Sequence, residues 1–204
     1  MFEMGTYHVL MGIGGSLAVL GIFLTWNLSR GIERFRLGTG RISWLILAGG
    51  VLTALGFIEL MAGLGAWAVA VPVIIGPALI VYALSESGLV KAKPEMLVQV
   101  AVIVFSLFLS GSRTMYIIES FSAIAIVMLM DAAAFYVHTP KFHSRLARLS
   151  AWLFTAFVPI NTLRQGNIVA MLLYIGSTAL WVSTLIALHG VLRERFSKNV
   201  QESL

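Results

Sequence analysis

Residues 7–41 read YHVLMGIGGSLAVLGIFLTWNLSRGIERFRLGTGR. The first part, Tyr7 to Leu28, contains no Asp, Glu, Lys or Arg, and the second brings Arg30, Arg34, Arg36 and Arg41 in quick succession. A helix rising 1.5 Å per residue needs about 20 apolar residues to cross the hydrocarbon core of a bilayer. Lysine and arginine collect in the loops that stay on the cytoplasmic side. An apolar run followed by a basic loop therefore reads as a membrane helix that enters from outside and delivers its C-terminal end to the cytoplasm.

The same unit recurs along the chain. Apolar segments fall at about 7–28, 42–62, 66–84, 96–110, 114–137, 149–163 and 168–188. They are continuous rather than alternating, which favours helices over a barrel. Basic residues follow every second segment: Lys91 and Lys93 after the third, Lys141, Arg145 and Arg148 after the fifth, Arg193, Arg195 and Lys198 after the seventh. Together with the first loop these make 12 of the 14 basic residues, and the remaining connections hold only Arg113 and Arg164. A missed or invented span would break that alternation. The expectation is an all-α polytopic membrane protein, residues 1–204 as a single transmembrane domain of seven helices, N-terminus outside and C-terminus in the cytoplasm of a cell membrane.

Composition agrees. The chain of 204 residues is 59% hydrophobic and 11% charged, where soluble domains carry about 25% charged residues. Its net charge of +5 is spread over short loops and not gathered on one face, so nucleic-acid binding is not expected. There are no cysteines, which excludes disulfides, thiolate metal sites and cysteine catalysis. Residues Met1 to Tyr7 hold Glu3 and no basic residue, unlike the start of a cleavable signal peptide.

A repeat is a candidate feature. Arg34-Phe35 with Arg41-Ile42-Ser43 matches Lys141-Phe142 with Arg148-Leu149-Ser150 at a constant offset of 107 residues. On that reading spans one to three return as spans five to seven in the same orientation, a 3+1+3 parallel plan found in small solute carriers. The competing explanation is that basic membrane loops resemble one another.

Small residues at Gly14, Ala18 and Gly21, and at Gly49, Gly50, Ala54 and Gly56, are expected to pack the first span against the second. The third segment contains Pro72 and Pro77, which free the carbonyls of Ala68 and Val73. Such carbonyls coordinate ions or substrates in broken transporter helices, and are otherwise satisfied by a neighbouring helix or water.

Ionisable groups inside spans are costly and mark either ion paths or interhelical pairs. Glu59 and Glu119 fall toward the outer side, within reach of Arg113 and Arg164, and Asp131 falls in the inner third of span five. Glu119 and Asp131 lie about 18 Å apart along one helix and so form no carboxylate dyad. The structural alternative for Asp131 is a pair with Arg34 or Arg148. His138 and His189 share the inner ends of spans five and seven, the one arrangement that would suit a b-type haem or metal. No span holds a lysine for a retinal Schiff base, and no hydrolase or HExxH pattern occurs.

Two functions remain in view. One is a small carrier or channel for an ion or small solute, using the buried acids and the proline-kinked third helix, with no resident cofactor. The other is a non-catalytic membrane subunit of a larger complex, for example an oxidoreductase, with haem or quinone nearby. Neither makes the chain itself an enzyme. The expected partners are the lipid bilayer, other membrane proteins or further copies of this chain.

Overall fold

The computed structural model describes residues 4–35, 41–61, 66–86, 93–108, 113–135, 139–163 and 167–202. Among these the chain is all α-helical. The helices are α1 (Met4–Phe35), α2 (Arg41–Met61), α3 (Ala66–Glu86), α4 (Pro94–Phe108), α5 (Arg113–Phe135), α6 (Lys141–Leu163) and α7 (Ile168–Glu202). Each apolar segment of the sequence coincides with one helix. Gly5–Leu28, Lys141–Leu163 and Ile168–Val191 are long and apolar enough to cross a membrane. The stretches Arg41–Gly56, Ile74–Ala83, Pro94–Ser106 and Ser122–Phe135 are apolar but shorter.

Local chemistry sets several helix ends. Asn167 caps α7: its Oδ1 accepts from Val169 N at 2.9 Å and its carbonyl accepts from Met171 N at 3.2 Å. Pro140 precedes α6 and its carbonyl accepts the bond from Ser144 N at 2.9 Å. Proline suits a helix start and opposes a helix interior. That is why α6 begins at Lys141, through a basic stretch that hydropathy alone assigns to a loop. Lys and Arg are good helix formers in water. The same reason lets α7 run on to Glu202.

Six helices close a ring, in the order α1, α2, α3, α5, α6, α7 and back to α1, with α4 packed against α5 and α6. Contacts define relative directions. Gly14 meets Tyr174 and Gly21 meets Trp181, so α1 and α7 run parallel. Arg41 near the start of α2 meets Tyr82 near the end of α3, so those two are antiparallel. Tyr7 donates to Asn161 at 3.5 Å, which sets the start of α1 beside the end of α6.

The small residues of α1 do not serve the expected partner. Tyr174 and Trp181 of α7 fill the spaces that side chains at Gly14 and Gly21 would occupy, and Ala18 between them is buried. Gly50 of α2 does face α1, against Ile22. Gly49 instead meets α3: a Cβ there would lie 2.5 Å from Gly76 O, and one on Gly76 would lie 2.7 Å from Gly49 O. The backbones of α2 and α3 thus touch where Gly76 precedes Pro77.

The two stretches that match at an offset of 107 differ in structure. Arg34-Phe35 close α1, whereas Lys141-Phe142 open α6. Pro140 forces a break before the second, and no proline does so near the first. The described helices give the 3+1+3 repeat no support.

The surface is inverted relative to a soluble bundle. On α4, Leu97 and Phe105 are 70% and 64% exposed, while the stripe Met96, Gln99, Ile103 and Ser106 is buried. Trp44, Phe142 and Leu172 are likewise exposed. Large apolar side chains outside, with a mostly apolar interior that also holds a few polar groups, suit a lipid surrounding.

Candidate functional site

The buried stripe of α4 carries the polar Gln99 toward α5 and α6, the helices it packs against. On α5, Asp131 is 1% exposed, in a helix whose Val127, Leu129, Met130 and Ala134 are also buried. The C-terminal end of α5 is fixed by two hydroxyls. Thr139 Oγ1 donates to Ala133 O at 3.0 Å and Ser144 Oγ donates to Ala134 O at 2.7 Å. These satisfy carbonyls that a helix end leaves without partners. The Ser144 bond also ties α5 to α6.

One turn along α6 from Ser144 stands Arg148. Its guanidinium lies 5.0 Å from the Phe135 ring centroid and 3.9 Å from Glu95 Oε1 of α4. Lys93 approaches the same ring, at 5.7 Å. Three helices therefore meet at Arg148. Glu95 precedes Gln99 by one turn and Asp131 precedes Phe135 by one turn, about 6 Å each. Gln99 and Asp131 sit at a common level, one turn deeper than the cluster around Arg148.

Two oxygens at that level have no hydrogen-bond partner among the described residues: Asp131 Oδ2 and Gln99 Oε1. Each orphaned acceptor costs about 1–3 kcal/mol. Arg148 and Glu95 are the charged side chains close enough to act on Asp131. The expected pairing of Asp131 with Arg148 is not formed, because Arg148 pairs with Glu95. Both partners of that pair keep 46% exposure, so the cation stays in a wet setting and avoids the desolvation that a buried pair with Asp131 would require.

The other expected residues are dispersed. Pro72 and Pro77 are buried inside α3, which continues through both. Glu59 falls on α2, and Arg113 and Glu119 on α5, with side chains outside the described set; Arg34 on α1 is the same. Arg164 and His138 lie outside the described residues. His189 is exposed on α7. No group of three His, Cys, Asp or Glu side chains suited to a metal occurs among the described residues.

Two polar groups were passed over in reading the sequence. Gln99 is uncharged, and attention to ionisable residues misses it; a glutamine inside an apolar segment was the available signal. His143, in the first turn of α6, has a buried Nδ1 with no hydrogen-bond partner among the described residues. Nothing in its loop-like sequence setting marked it. Compared with known proteins, the chain matches no protein-family model, no curated protein and no solved structure.

Proposed function

We propose that this chain is a small membrane carrier or channel for an ion or small solute, with its pathway through the α4–α5–α6 junction and Asp131 as the charged group on that path. The observation that carries the reading is the carboxylate itself. It is buried in an apolar bundle, lacks an ion pair among the described residues, and has an oxygen without a donor. A carboxylate kept only for packing would be expected in a sealed ion pair.

The proposal includes seven crossings with the N-terminus outside and the C-terminus in the cytoplasm. The 12-to-2 division of basic residues supports it. So do the helix directions, since six passes separate α1 from α7 and an even number returns the chain to its first direction. The junction at Arg148 then lies toward the cytoplasmic face.

The test is flux into liposomes containing the purified chain, with imposed gradients of H+, Na+ and K+. Wild-type protein is expected to move charge, and Asp131→Asn to abolish that movement while keeping the wild-type melting profile. Wild-type vesicles no leakier than empty ones would reject a carrier of these ions.

A further inference from the structure

We infer that Asp131 and Gln99 together form a binding site for one monovalent cation, either a proton or an alkali-metal ion. The inference rests on the carrier reading of the junction and names what the site takes.

The groups present define the occupant. Asp131 Oδ2 and Gln99 Oε1 are both acceptors, on helices that pack together, at one level, and both residues are 1% exposed. An occupant must therefore donate a hydrogen bond or carry positive charge. A solute bearing only acceptor groups would leave both oxygens as they are. The charge count sets the valence. Asp131 supplies a single negative charge, and the nearby Glu95 is held by Arg148. Divalent ions need six or more oxygens, usually from several carboxylates, and no cluster of three acidic or histidine side chains is present among the described residues. One positive charge neutralises the site; two would leave an excess charge in apolar surroundings.

The surroundings of α5 are consistent with this count. From α4 comes Glu95 and from α6 Arg148, while Lys93, just before α4, approaches the Phe135 ring. No further charged side chain acts on Asp131 among the described residues of α1, α3 and α7. Lys93 and Arg148 both approach the Phe135 ring, at 5.7 and 5.0 Å, and Phe135 follows Asp131 by one helical turn.

The experiment is a pair of titrations on the full chain in lipid nanodiscs. NaCl and KCl are titrated calorimetrically against a choline chloride control, and proton uptake is followed with a pH indicator in weakly buffered solution. Wild-type protein is expected to take up one charge per chain that Asp131→Asn does not. An alkali ion appears as saturable heat with Na+ or K+, and a proton as a one-proton difference between wild type and variant. Gln99→Leu is expected to weaken binding roughly 10- to 100-fold, the loss that follows removal of one hydrogen bond to a charged group. Gln99→Glu, closer in shape, is expected to add divalent binding. Identical wild-type and Asp131→Asn titrations with Na+, K+ and H+ would overturn the site. Binding without flux would remove the carrier and leave the site. Flux lost in Asp131→Asn without any binding difference would remove the site and leave the carrier.

Discussion

Arg148 on α6 pairs with Glu95 on α4 at 3.9 Å, and Asp131 on α5, one turn deeper, is left outside that pair. The exposed cation has its partner at the junction, while the buried Asp131 has no ion pair among the described residues. Since Arg148 also lies against Phe135 of α5, one side chain couples the positions of three helices.

Removing Glu95 frees Arg148 to turn inward toward Asp131. Glu95→Gln is expected to change the melting stability by less than about 1 kcal/mol, as for exposed ion pairs. It is expected to reduce proteoliposome flux far more than that small change implies. The exchanged pair, Glu95→Arg with Arg148→Glu, restores flux if the pairing is what matters. An equal loss of flux in the exchanged protein would count against it.

Phe135 follows Asp131 by one turn of α5, and the carrier reading expects its ring to limit access to Asp131 and Gln99. The absence of cysteine makes the shielding measurable, because a single introduced thiol is the only reactive one. Gln99→Cys is expected to react slowly with a water-soluble maleimide, and at least severalfold faster when Phe135→Ala is added. Unchanged labelling rates would show that the ring closes nothing.

Substituting Gly21 drives a side chain into Trp181. Gly21→Val is expected to destabilise by about 1–3 kcal/mol, the usual cost of overpacking. Trp181→Leu in the same chain is expected to recover part of it, giving a non-zero coupling in a double-mutant cycle. Gly5 has open space around it, so Gly5→Val tests the baseline and is expected to leave stability unchanged.

The Asn167 cap can be tested without touching the site. Asn167→Ala is expected to cost about 1 kcal/mol, and Asn167→Asp to restore most of it, since both acids and amides accept the Val169 N–H bond. Thermal melting in detergent reads both.

Orientation is tested in the same cysteine-free background. Gly5→Cys is expected to be labelled by an impermeant thiol reagent on intact cells, and Ser197→Cys only after permeabilisation. The reverse result would invert the proposed topology.

The helices were legible in the sequence because each is marked by its own run of apolar residues. Their ends were less so. The start of α6 depends on Pro140 and on helix-forming Lys and Arg, and hydropathy counts these last as loop. Partner choice was not legible either. Gly14 and Gly21 announce a groove, but whether Ile22's neighbours on α2 or the distant Tyr174 and Trp181 fill a groove is decided by the arrangement of all the helices. Asp131 stood out as a charge in an apolar run. Its companion Gln99 did not, since a neutral side chain costs less to bury and only its orphaned oxygen reveals its place.

The seating of Tyr174 and Trp181 on α1 also bears on biosynthesis. α1 is translated well before α7, and its hollows at Gly14 and Gly21 have no filler until residues 174–181 have been made and inserted. The earlier helices therefore cannot complete the ring as they emerge. A chain halted before Tyr174 leaves both hollows unfilled, since the side chains that occupy them have not yet been made.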